Sequence, residues 1–332
     1  MNRTDNASAS DRRLALALAQ RAYASGEVRL VTRDLNDCDY IIATRQGLLA
    51  AGAGGCKRIA HGQFFGLTMD GSDVLAFEAC DLPRHPSRMG RIIRLRVRDG
   101  RIVDTEVFVT GLDNGCHQID LIGDTLVVVD TYRQRILEIA PDATVKEFQP
   151  FPFDRERRGT ADYVHFNSVM ACGDRRLLLL HNDFGRTGRA SEIALLDESW
   201  TVVDRRPVAG TGCHNLALLE DGSVLSCGSV QGALISTAGI RAKVSNLMTR
   251  GLAVGQDVIA VGGSTFSERE HRDSEPGVLQ LLDRQLRLLS SLPLPAPPTE
   301  IRRLDGNDLS LSRHIAARGL PLGWPQVTCS SA

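Results

Sequence analysis

The sequence predicts an all-β fold: a six-bladed β-propeller closed by an N-terminal hairpin and preceded by a short N-terminal helix. Three observations carry this. Past residue 27 the chain has almost no helical periodicity and reads as short β-rich runs (YIIAT, VLAFEA, TLVVVD, RLLLLH, DVIAVGG) punctuated by Gly, Asp and Asn. One pattern then recurs: a polar residue, an apolar strand, a Gly/Asp turn and a second apolar strand. It opens at His61, His117, His165 and His214, with weaker copies at Thr249 and Glu300, spaced 35 to 56 residues apart, near the length of one four-stranded blade. Lastly, the Glu300 copy has no room for outer strands, whereas Asp39–Gly52 (DYIIATRQGLLAAG) is a hairpin without inner ones. Pairing the two in one sheet, with Glu300–Leu311 as the inner hairpin, closes the ring and removes two exposed edges.

In chain order, residues 1–27 form an extension whose helix spans Asp11–Ala24 (DRRLALALAQRAYA), capped by Ser10 or Asp11. Residues 28–313 are the propeller, with RILEIAPDATVKEF and SEIALLDESWTVVDRRPV as outer strands, and residues 314–332 are a tail. Pro293–Pro298 connects into the last blade, and the insertions Arg155–Arg158 and Ser264–Gly277 read as lids.

Composition narrows the function classes. With 39 Lys+Arg against 40 Asp+Glu, the chain has no basic excess for a nucleic acid or an anionic membrane. No apolar run approaches the ~18 residues of a span, and Leu14–Ala19 is too short for a signal peptide. A cytoplasmic location is expected. The cysteines form no CxxC pair and read as buried apolar residues or free thiols, Cys116 and Cys213 in the Gly-Cys-His triplets included.

Four of the eight histidines open consecutive inner strands, which line a propeller's channel at equal depth. His61, His117, His165 and His214 are therefore expected to converge on one metal ion, imidazole being a common neutral ligand of Fe, Zn and Cu. Four neutral ligands leave two open positions on an octahedral ion, which suits Fe(II) and O2; zinc is the alternative. Strand ends returning to that face bring His181 as an acid/base and Asp130 and Glu300 as partners of the ligand imidazoles, with Glu300 also a candidate fifth ligand. Tyr132, Asn182, Arg250 and Arg302 are candidate contacts of a small organic substrate, the arginines through an acidic group.

GCHNLALLEDGSVLSCG and HFNSVMA resemble the histidine strands of the carotenoid cleavage oxygenases, propeller enzymes that hold Fe(II) on four inner-strand histidines. That resemblance implies a non-haem iron oxygenase, although those enzymes have seven blades and longer chains. In blade count the sequence resembles the NHL-repeat, gluconolactonase-like and peptidyl-amidating lyase propellers. They imply a zinc-dependent lyase or hydrolase on the same site. A non-catalytic binding propeller is the expectation from a different class.

Overall fold

Six four-stranded antiparallel sheets make up the computed structural model, which describes residues 4–83, 85–153, 163–237, 241–266 and 275–312. The first blade runs Phe64–Asp70, Asp73–Ala79, Gly90–Arg98 and Arg101–Leu112, and the second Ile119–Ile122, Thr125–Asp130, Arg135–Ile139 and Val145–Phe148. The third comprises Phe166–Cys172, Arg175–Leu180, Glu192–Leu196 and Val202–Pro207, and the fourth Cys213–Leu218, Val224–Gly228, Ala233–Ser236 and Arg241–Lys243. The fifth comprises Met248–Val254, Val258–Ser264, Gly277–Asp283 and Leu288–Leu294. The first strand of each blade contacts its counterparts in the neighbouring blades, so these strands line the axis.

The sixth blade closes the ring, with one correction to the expected pairing. Its inner strand is Pro298–Arg303, and the chain start supplies three strands, not two: Tyr40–Thr44, Gly47–Gly52 and Gly55–Ala60. The closing register pairs Tyr40 with Arg303 and Ile42 with Ile301. Asp308–Leu311, expected as a second inner strand, instead turns across the channel end away from the histidines. Ser312 there donates its N–H to Asp120 Oδ2 at 3.1 Å, and Ala171 N–H donates to Ser312 Oγ at 2.9 Å. Leu304 N–H already bonds Asp39 O beside the closing strand, and buried Asp308 draws the segment inward by accepting from Val254 N–H.

Alternate residues of each central strand serve different interfaces. Leu126 and Val128 pack between the first and second blades, Val127 and Val129 between the second and third. Leu177 and Leu179 face the fourth blade, Leu178 and Leu180 the second. Both faces of every blade are thus core, which is why the strands are continuous apolar runs where a half-exposed sheet would alternate. Such burial, at about 25 cal/mol per Å² of apolar surface, supplies most of the stability of a fold of this kind.

The N-terminal helix spans Thr4–Ser25, longer than expected and starting before Ser10. Its buried stripe is Ala15, Ala19 and Ala22, while Leu14 stays 54 % exposed. Alanines bury little area but let the helix backbone approach the first blade. Polar anchors then matter: Arg91, 1 % exposed, donates to Ala22 O and Glu27 O at 3.0 and 2.8 Å and pairs with Glu78 at 2.7 Å. Each charge-assisted bond of this type contributes about 1.5–3 kcal/mol. The seven described cysteines are free thiols, Cys116 and Cys213 lying within inter-blade cores. Among the described residues no helix is long and apolar enough to cross a membrane. Arg155–Arg158, most of Ser264–Gly277 and the tail 314–332 lie outside the described residues.

Candidate functional site

Each of the six inner strands begins with a β-bulge. In the first, the four residues from Phe64 to Leu67 face three, Glu78 to Ala76. Extra residues stand at the same level in the third, fourth, fifth and sixth blades. In the second, His117 and Gln118 both bond Val129. A bulge re-aims the side chains at its position, here toward the mouth of the channel. The loops joining second to third strands rise around the same mouth.

Together these elements form a cavity of about 280 Å³ lined by Arg45, Phe65, Pro83, Gly115, His117, Tyr132, His165, His181, Asp183, His214, Met248 and Arg250. Inner-strand starts contribute Phe65, His117, His165, His214 and Arg250; the loops contribute Arg45, Tyr132, His181 and Asp183. Four imidazoles follow one another along an arc. Ring centroids are 5.6 Å apart from His117 to His165, 4.8 Å from His165 to His181, and 5.2 Å from His181 to His214. Tyr163 and Tyr132 flank His165 edge-on, at 5.4 and 6.5 Å.

Backbone groups fix two opposite tautomers. In both Gly-Cys-His triplets the histidine Nδ1 faces the glycine carbonyl, His117 to Gly115 O at 3.0 Å and His214 to Gly212 O at 2.9 Å. A carbonyl only accepts, so Nδ1 carries the proton and Nε2 is the basic nitrogen in the neutral ring. At His181 the polarity reverses, because Asp183 N–H donates to its Nδ1 at 3.1 Å. The neutral His181 ring therefore carries its proton on Nε2. His165, Asn182, Asp183 and Asn215 all adopt left-handed backbone angles, φ 46, 59, 46 and 62°. Clustering of such conformations marks a site whose surroundings over-determine it.

The residue after His214 shows how. Asn215 donates N–H to Ser168 Oγ and Nδ2–H to Glu300 Oε1, both at 2.9 Å, and accepts Gly251 N–H at 2.8 Å. Three other blades thus hold the backbone that aims His214. Burial, then Arg250 and the neighbouring imidazoles, hold the His214 pKa well below the ordinary histidine value. It is neutral at physiological pH.

Several expected site residues are placed elsewhere. His61 lies outside the cavity lining: its N–H bonds Arg29 O, and burial with Arg58 and Arg29 lowers its pKa. Gln63-Phe64-Phe65 is the first-blade counterpart of Gly115-Cys116-His117, so Phe65 takes the ring position and His181 is the fourth clustered imidazole. Asp130 orients no imidazole; it is fully buried, pairs with Arg135 at 2.8 Å and receives Arg133 N–H, burial and Asp113 pushing its pKa to about 6. Asn182 is a buried turn residue bonded to Ala190 O and Glu192. Glu300 and Arg302 form a 2.8 Å ion pair inside the channel, Arg302 also donating to Leu67 O and Leu252 O. They brace the inner strands and do not line the cavity. Sequence reasoning missed Arg45, Phe65, Pro83 and Met248; Arg45 sits in the sixth blade's equivalent of the His181 loop, a correspondence visible once the three N-terminal strands are counted.

Among the described residues no group of three or more His, Cys, Asp or Glu side chains is arranged to hold a metal ion. The basic Nε2 atoms of His117 and His214 suit a metal. His61, expected beside them, lies outside the cavity lining, and neutral His181 carries its proton on Nε2. Among the described lining residues two guanidinium groups, Arg45 and Arg250, stand with one carboxylate, Asp183, whose own partner Arg186 is 3.7 Å away. Guanidinium groups are suited to pairing with an anionic group.

Gly115 offers a direct check on this architecture. A Cβ placed on it would stand 1.6 Å from the Tyr132 ring, so the glycine lets Tyr132 pack on the backbone that also fixes His117. Gly115→Ala is expected to cost about 1–3 kcal/mol by overpacking and to displace Tyr132. Thermal unfolding with near-ultraviolet circular dichroism reads both; an unchanged Tm and tyrosine signal would contradict the packing.

Fold and site together define a six-bladed β-propeller with a histidine-lined mouth. No known family's sequence profile matches the chain, and no curated protein matches it in sequence. Solved propellers match it in fold. A protein of unknown function from Bacteroides caccae superposes with a TM-score of 0.51 at 12 % identity, over 80 % of this chain and 98 % of the other. A chain of a nidogen/laminin complex gives 0.53 at 11 % identity over 82 % and 98 %, and a presumed gluconolactonase 0.52 at 11 % over 82 % and 89 %. These likenesses establish the fold.

Proposed function

We propose that this chain is an enzyme that binds a small organic anion at the histidine mouth and transforms it by imidazole acid–base chemistry. The opposite tautomers of His214 and His181, neighbours at 5.2 Å between ring centroids, carry this reading. His214 Nε2 takes a proton from carbon or water, and His181 Nε2–H donates a hydrogen bond to the departing or developing oxygen, which solvent water protonates. Arg250 and Arg45 stabilise the negative charge that builds on the substrate. Exchange with solvent removes the proton gained by His214, and His181 keeps its own throughout. The reaction class is a lyase or hydrolase, and a binding propeller without turnover is the non-catalytic rival.

Incubation of small carboxylates and lactones in D2O, followed by NMR, tests it. Solvent deuterium at the carbon beside the carbonyl, elimination or ring opening is expected, reduced about 10²–10⁴-fold in His214→Gln and in His181→Gln. Anion binding with no exchange or turnover across the panel supports the binding propeller instead. The number of clustered imidazoles favours a second reading, an Fe(II) oxygenase using O2, or its zinc counterpart. Near one metal per chain in untagged protein, lost in His117→Ala, would promote it over the acid–base enzyme.

A further inference from the structure

The loops around the mouth carry a second chemistry. Four of them expose a large apolar side chain: Leu82 at 44 %, Phe184 at 41 %, Val230 at 51 % and Phe266 at 48 %. Each adjoins the cavity. Leu82 precedes Pro83 and Phe184 follows Asp183, both lining residues. Val230 follows Ser229, which bonds His214 at 3.0 Å, and a Cβ built on Gly212 would stand 3.1 Å from a Val230 methyl and 3.2 Å from His181 Nε2. Phe266 lies two residues past Ser264, the partner of lining Met248. Phe65, Pro83 and Met248 continue the apolar surface into the wall.

Single exposed apolar residues are ordinary; Val103, Val145, Val203, Leu288 and Leu289 are of that kind, on outer strands. The mouth differs because its apolar residues come from four separate loops and surround a cavity whose floor holds two guanidiniums and four imidazoles. A small hydrophilic anion would use the floor and leave the rim in water.

We propose that the ligand is an amphiphilic carboxylate: an anionic head on the arginine–imidazole floor and an apolar tail of several carbons lying against Leu82, Phe184, Val230 and Phe266. This rests on the anion-binding reading above and specifies its substrate class. Tail contact adds affinity in proportion to the methylenes removed from water, about three- to fourfold for each. The floor selects the sign of the head group, the rim the length of the tail.

Calorimetric titration of the full chain tests this with n-alkyl carboxylates from acetate to dodecanoate, below their micellar concentrations, and with alkyltrimethylammonium ions of equal length. Affinity is expected to rise with each methylene up to a plateau, and the ammonium series to bind at least tenfold more weakly. Phe184→Ser/Val230→Ser, two exposed positions, flattens the rise with chain length; Arg250→Gln weakens the whole series. Equal affinity for all chain lengths overturns the amphiphile while the anion-binding reading stands. Failure of every carboxylate overturns both, and equal binding of the ammonium ions reduces the rise to unspecific adsorption and overturns the proposal.

Discussion

Replacing Arg302 by Ala is expected to destabilise the propeller by about 3–5 kcal/mol, because it leaves a carboxylate buried without its counter-charge. Arg302 is 1 % exposed and donates to Glu300 at 2.8 Å and to carbonyls of the first and fifth blades at 3.1 Å each. Thermal unfolding should fall by on the order of 10 °C in a chain of this size. Met at 302 combined with Gln at 300 removes both charges and should recover most of the loss, since the lone ion is the main cost. Burial pushes the Glu300 carboxyl up to about 7 against the pull of Arg302. The folded pKa is raised above the unfolded value near ~4.3. Its favourable contribution is therefore complete below that value and is lost as pH rises through about 7. Glu300→Gln should flatten that part of the stability–pH curve, and the Arg302→Ala deficit should shrink toward acidic pH. A deficit independent of pH would mean that Arg302 acts through its carbonyl bonds alone.

A chain lacking residues 1–60 is expected not to unfold cooperatively at all. The deletion removes three of the four strands of the closing blade, with Ile41, Leu48 and Ile59 from one inter-blade core and Tyr40, Ile42 and Leu49 from the next. Each buried large apolar side chain contributes about 1.5–3 kcal/mol, so six such losses, about 9–18 kcal/mol together, are as large as the whole usual margin of about 5–15 kcal/mol. The deletion also bares the edge of Pro298–Arg303, whose register with Tyr40–Thr44 ends both ring openings. Calorimetry and size exclusion of the truncated chain measure this. A sharp transition in a monomer would show that five blades and one strand suffice. Removing residues 1–27 alone should cost far less, because the helix is held by alanines and the Arg91 bonds.

The amino-acid sequence by itself determined the blade repeat, the closure by N-terminal strands and most of the histidine cluster. Each follows from a local pattern: apolar runs such as Leu177–Leu180 need two buried faces, and Gly-Cys-His occurs twice with the same Nδ1-to-glycine bond. His117, His165, His181 and His214 were legible because inner-strand starts and second-strand ends share one face of an antiparallel blade. What only the tertiary structure decided were the residues whose role depends on a partner far along the chain. His61 opens a repeat copy that matches the others in composition, yet the first-blade bulge places Phe65 at the mouth four residues later. Glu300 and Arg302 carry the charges of a site, but the segment after Arg303 folds across the far end of the channel and encloses them. Asp130 meets Arg135, and Asn182 meets Glu192, through loop geometry that spacing does not encode. The tautomers are the clearest case: three histidines of one composition differ in chemistry because one carbonyl or one N–H stands against Nδ1, and only the folded backbone sets which.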